Sequence, residues 1–139
     1  MAVLLFLLIS GALARFLSTE NVERDADLAL IEAQARGDVG AMLRLLPGCS
    51  RHPGCVSAAR LNAANPRLRR AGAVKILSLE SATAYALTGA TGRTRLAWTV
   101  IGKLPVVQCV GVRRSGSFVT GITVTLLSLS APIENEAGC

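Results

Sequence analysis

The first apolar positions of the chain show no periodicity. Residues 2–14, AVLLFLLISGALA, run without a charge or a strong helix breaker. Thirteen apolar or small residues fall short of the roughly 20 that a helix needs to cross a hydrocarbon core of about 30 Å. The run matches the apolar region of a signal peptide, with Ala12 and Ala14 at the two small-residue positions that a signal peptidase reads. No Lys or Arg precedes it, so cleavage after Ala14 and an uncleaved anchor reaching past Arg15 to Leu17 are both open. Residues 1–17 are therefore assigned to a signal peptide or membrane anchor, and 18–139 to one folded domain with a C-terminal tail.

From Ser18 the pattern becomes helical. Val22, Ala26, Ala29, Leu30 and Ala33 recur at helical spacing, and Glu20, Glu23 and Asp25 stand near the start, where the helix dipole favours acids. Glu20 with Arg24 and Glu32 with Arg36 are pairs four apart in the favourable order. Gly37 suits a helix C-cap and Asp38 an N-cap, which predicts a long helix, a break and a short helix over Val39–Leu46. The tripeptide Arg36-Gly37-Asp38 falls on this corner, where Gly and Asp have capping roles. A third helix is predicted over Val56–Ala64, stopped by Asn65-Pro66.

After Pro66 the period changes from helix to strand. Val74–Glu80, Thr83–Leu87, Arg93–Val100, Val106–Arg113 and Phe118–Ser130 are rich in Val, Ile, Thr and Leu and are separated by turn residues. Alternation puts Leu96, Trp98 and Val100 on one face, and likewise Ile122, Val124 and Leu126. Turns at Ala90–Gly92, Gly102–Pro105 and Ser115-Gly116 predict a meander with one face packed. Helices followed by strands predict an α+β fold, with N-terminal helices on a curved antiparallel sheet of about four to five strands. No internal repeat, low-complexity stretch or second domain is evident.

Charge changes the picture next. The net charge is +6, and thirteen of the fifteen basic residues are arginine. Arg67, Arg69, Arg70, Arg113 and Arg114 are candidates for one patch that holds an anionic surface or a protein partner. Nucleic acid is not expected, because the basic clusters lack interleaved aromatic residues and the leader points out of the cell.

Four cysteines behind an export signal read first as two disulfides. In PGCSRHPGC, residues 47–55, Cys49 and Cys55 close a short loop through the turn pair Pro53-Gly54, leaving Cys109 for Cys139. The sole histidine, His52, lies between the first two cysteines, but the spacing is not that of a zinc site and a thioredoxin-type C-x-x-C is missing. Neither a metal nor a cofactor is expected, and the cross-linked hairpin is read as structural.

The corner ALIEAQARGDVGAMLRLL, a short helix after it, and the run of antiparallel strands resemble the nuclear-transport-factor-like, cystatin-like cone folds. That superfamily includes ketosteroid isomerase and the SnoaL-like polyketide cyclases. LPVVQCVGVRRSG and LLSLSAPI resemble small exported bacterial members with no assigned activity. The resemblance implies a cone with a ligand pocket between the sheet and the long helix, for which Tyr85, Leu96, Trp98, Val110, Ile122 and Val124 are the candidate lining. In an enzyme of this type the acid–base pair would have to come from Tyr85 and Asp25 or Asp27. No G-x-S-x-G, phosphate-binding glycine loop or catalytic triad is present. The expectation is an exported, disulfide-braced, non-enzymatic module that binds a partner or small ligand. The alternatives are a small isomerase or cyclase, and a basic tether to an anionic surface.

Overall fold

The computed structural model describes residues 1–83, 89–117 and 121–139, with residues 15–19 described by their backbone alone. Its elements are α1 (Ala2–Arg36), α2 (Val39–Leu45), a 3₁₀ turn (Cys49–Arg51), α3 (Pro53–Ala64), β1 (Val74–Ser81), β2 (Ala90–Val100), β3 (Val106–Ser117) and β4 (Gly121–Leu129). The strands form an antiparallel meander in the order β1-β2-β3-β4, with the helices before the sheet in the chain, as an α+β fold requires. Thr83 lies in a turn, and the rest of the expected strand Thr83–Leu87 lies outside the described residues, as do Tyr85 and Phe118.

α1 runs unbroken from Ala2 to Arg36, so the apolar run 2–14 and the helix expected from Ser18 are one helical element. Its beginning is apolar all round, and Val3 to Ile9 are all exposed. Beyond Glu20 one face is buried: Glu23, Asp27, Leu30, Ile31 and Gln34, at the spacing of a helix lying on a sheet. The helix ends as the sequence predicts. Gly37 adopts φ 73°, its N–H bonds Gln34 O, and the N–H of Asp38 bonds Ala33 O. A Cβ at Gly37 would stand 3.0 Å from Arg69 Nε and 3.2 Å from Ala63 O, so close packing also requires glycine there. Asp38 Oδ1 then accepts from Ala41 N at 2.8 Å and starts α2.

The two disulfides join Cys49 to Cys55 and Cys109 to Cys139. Pro53-Gly54 is not the turn between the first pair. Pro53 opens α3, because proline has no N–H to waste in a first helical turn, and extended His52 before it marks the boundary. The chain reverses instead in the 3₁₀ turn.

The core lies between α1, α2, α3 and one sheet face, around Leu30, Ile31, Met42, Leu68, Trp98 and Val110. Pairing slips by one residue at Leu77 on β1 and at Leu127 on β4, where each strand carries an extra residue. Such bulges bend a strand and reset its alternation, which is how Leu126 and Leu129, three apart, are both buried. The outer sheet face is partly covered by the tail. Ile133 N bonds Val107 O at 2.8 Å, and the Cys109–Cys139 bridge fastens the end.

Candidate functional site

α1 carries Glu23 and Asp27, one turn apart, into the sheet. Glu23 is fully buried and accepts from Thr94 Oγ1, from Ser81 Oγ at 3.4 Å and from Arg114 Nε at 3.0 Å. Arg114 Nη2 completes the ion pair with the same carboxylate. Ser81 Oγ also meets Thr83 Oγ1 at 2.9 Å, so the polar cluster reaches across β1 and β2 to the start of the next loop. Asp27 differs from its neighbour. It too is fully buried, but neither carboxyl oxygen has a hydrogen-bond partner among the described residues. Burial first, and the Glu23 charge second, push its pKa up to about 8, so Asp27 keeps its proton at neutral pH.

Beside this cluster an open cleft of about 1050 Å³ lies between α1, the β1 edge, β2 and the tail. Its walls carry Arg24, Arg93, Arg95 and Arg114, with Glu20 and Glu80 as the acids. Arg24 Nη2 donates to Ile76 O at 3.1 Å, and Arg93 Nη1 to Cys139 O at 3.3 Å. Arg95 is tied more heavily: Nε donates to Ala137 O at 3.0 Å, Nη2 to Asn135 O, and Nη1 pairs with Glu80 at 3.3 Å. A guanidinium has five N–H donors, so Arg24 and Arg93 retain donors for an anion.

The structure places the sequence candidates differently from one another. Leu96, Trp98 and Val110 have no exposed surface and fill the core, while Ile122 and Val124 are half-buried on β4. None of the five lines the cleft. The space under α1 is also bridged by a polar network. Gln34 and Gln108 exchange two hydrogen bonds at 3.0 Å, Trp98 Nε1 donates to Gln108 Oε1 at 2.9 Å, and Gln108 Nε2 reaches Ser130 O at 2.9 Å. Asp25 is exposed on α1, and His52 is exposed beside the disulfide.

The five arginines expected in one patch do not form one. Arg114 turns inward and is 3% exposed, because it shares the inner face of β3 with Val110 and Val112. Arg70 lies over the Trp98 ring at 5.3 Å, donates to Arg67 O and Leu104 O, and has its pKa lowered by burial. Trp98 pairs with Val106, whereas Arg113 lies seven residues further along β3, about 23 Å at strand rise. Arg67, Arg69 and Arg70 therefore stand at one end of the sheet and Arg113 at the other.

Gln34 and Gln108 form a buried polar pair that the sequence analysis does not name, and Glu23 and Arg114, expected as a helix-start acid and a patch cation, instead form a buried pair. A signal was present for two of them: Gln108 interrupts an apolar run, and Arg114 continues the inward frame of Val110 and Val112. Among the described residues no group of three His, Cys, Asp or Glu could hold a metal ion, and no helix is long and apolar enough to cross a membrane. Compared with family models, with curated proteins and with solved structures, the chain matches none.

Proposed function

We propose that the chain is an exported, disulfide-braced, non-enzymatic binding module of the nuclear-transport-factor-like type, which takes a small organic anion in the arginine-lined cleft. The observation that carries this reading is the convergence of Arg24 and Arg93 on one open cleft with donors unspent. The disulfides support it, since an oxidising compartment is where such bridges persist. Ligand binding to the native state raises thermal stability by mass action. Citrate, succinate and inorganic phosphate are the first probes for a thermal-shift titration. A saturable rise in melting temperature is expected, weakened at least tenfold in apparent affinity by Arg24→Gln with Arg93→Gln. No shift with any of the three, or an equal shift in the double variant, rejects the cleft as the binding site.

A second reading, a small acid–base enzyme, draws on Asp27, a carboxyl held protonated with no described structural partner. Asp27 has no solvent contact, so a substrate would reach it only if α1 lifted from the sheet. Binding in the cleft needs no such motion and is preferred. Deuterium exchange into a cyclic enone, abolished by Asp27→Asn, is the result this second reading requires.

A further inference from the structure

The β2–β3 hairpin ends in a feature that neither the core nor the cleft uses. Ile101 and Leu104 are 90% and 83% exposed, among the most exposed large apolar side chains of the domain. The turn that presents them is well defined: Gly102 takes φ 78°, Lys103 N bonds Val100 O at 2.9 Å, and Thr99 Oγ1 donates to Lys103 O at 2.7 Å. Two aliphatic side chains held out on a fixed turn lose no contact by leaving water, and burying them is favourable.

Cations surround this tip on both sides of the sheet. Lys103 is in the turn itself, and Lys75 pairs with Thr99 on the outer face. Arg70 donates to Leu104 O at 2.6 Å on the inner side, with Arg67 and Arg69 next to it in the chain. The nearby acids are Glu32, which pairs with Arg36 one turn along α1 beside the small cleft that Arg69 and Arg70 also line, and Glu134, which follows Ile133 beside Val107. No ion pair among the described residues engages Lys75, Lys103, Arg67 or Arg69.

We infer that the β2–β3 tip is a membrane-docking element, in which Ile101 and Leu104 enter the interface of an anionic bilayer while Lys103, Lys75 and Arg70 meet its headgroups. An aliphatic tip inside a cationic collar suits that partner. Each cation near a negatively charged leaflet adds to the attraction, which decays within a Debye length. The site is separate from the apolar leader. The N–H of Arg70 bonds Ala35 O at the end of α1, while Glu23 meets Thr94 and Arg114 toward the other end of the sheet, with residues 2–14 beyond it. Glu23 to Ala35 alone spans about 18 Å of helix, so a chain whose leader sits in one bilayer turns its tip to another surface.

Hydrogen–deuterium exchange of the full chain tests this, with vesicles of phosphatidylcholine alone and of phosphatidylcholine mixed with phosphatidylglycerol. The amides of residues 101–104 are expected to exchange at least twofold more slowly with the anionic vesicles only, and the protection should vanish in high salt. Ile101→Asp with Leu104→Asp should abolish protection at the tip and leave protection of residues 2–14 unchanged. The hairpin tip bears no core contacts, and a cooperative melt of the variant checks that it folds. The inference is overturned by equal exchange at the tip with and without anionic vesicles, or by protection that the variant keeps. It is also overturned by protection that grows with protein concentration in the absence of lipid, which would assign the tip to contact with a second copy.

Discussion

Glu23 on α1 and Arg114 on β3 stand 91 positions apart in the chain and meet as an ion pair with almost no exposed surface. Taking two charges out of water is costly, and the pair persists because Thr94 and Ser81 also satisfy the carboxylate. Removal of one partner leaves the other's buried charge without this counter-charge. Glu23→Leu and Arg114→Met are each expected to lower stability by about 3–5 kcal/mol. Glu23→Leu combined with Arg114→Met should recover much of that loss. Urea unfolding of the four species, as a double-mutant cycle, checks it. Additive losses would show that the two groups act independently.

Asp27 makes stability fall as pH rises from about 4 to about 8. Its ordinary pKa is 3.8 and its folded value about 8, so between these the native state holds a proton that the unfolded chain has released. Stability from this group is whole below about pH 4, declines by up to about 1.4 kcal/mol per pH unit, and levels off above about pH 8. Asp27→Asn should remove this slope while keeping the side-chain volume. Denaturation midpoints from pH 4 to 9 measure both. A wild-type slope that Asp27→Asn leaves intact would locate the titration elsewhere.

The elements were legible where a local rule and the tertiary structure agree. Gly37 and Asp38 announce the α1–α2 corner because capping is local, and Leu96, Trp98 and Val100 announce the buried face of β2 because alternation is local too. Pro53-Gly54 was misleading because the same dipeptide suits a turn and a first helical turn, and only the position of the helix decides between them. The arginines show the larger limit. A cluster in sequence is a charge count, while Arg114 was committed to Glu23 by strand register and Arg70 to Trp98 by a loop crossing, neither visible in one dimension. For the same reason the cleft is not legible in the sequence. Arg93 and Arg95 share one face of β2 by alternation, but Arg24 joins them at the cleft only because α1 packs against β1.

That tail gives the last prediction, because it joins stability to binding. The Cys109–Cys139 bridge closes a separation of 30 residues and Cys49–Cys55 one of 6. In the chain-entropy model the longer loop contributes about 4 kcal/mol and the shorter about 2 kcal/mol. Cys109→Ala with Cys139→Ala should therefore cost more than Cys49→Ala with Cys55→Ala. The second difference concerns place: Gly138 and Cys139 form part of one wall of the cleft, and Arg95 holds Asn135 and Ala137 by their carbonyls. Loss of the longer bridge should expose residues 131–139 to protease while the rest of the domain still melts cooperatively, and it should weaken anion binding. Loss of the shorter bridge should leave the tail protected and the binding unchanged. Arg95→Ala, which keeps the disulfide but frees the carbonyls, should fall between the two. Equal proteolysis of the tail in both disulfide variants would mean that global unfolding, not release of the tail, sets its exposure.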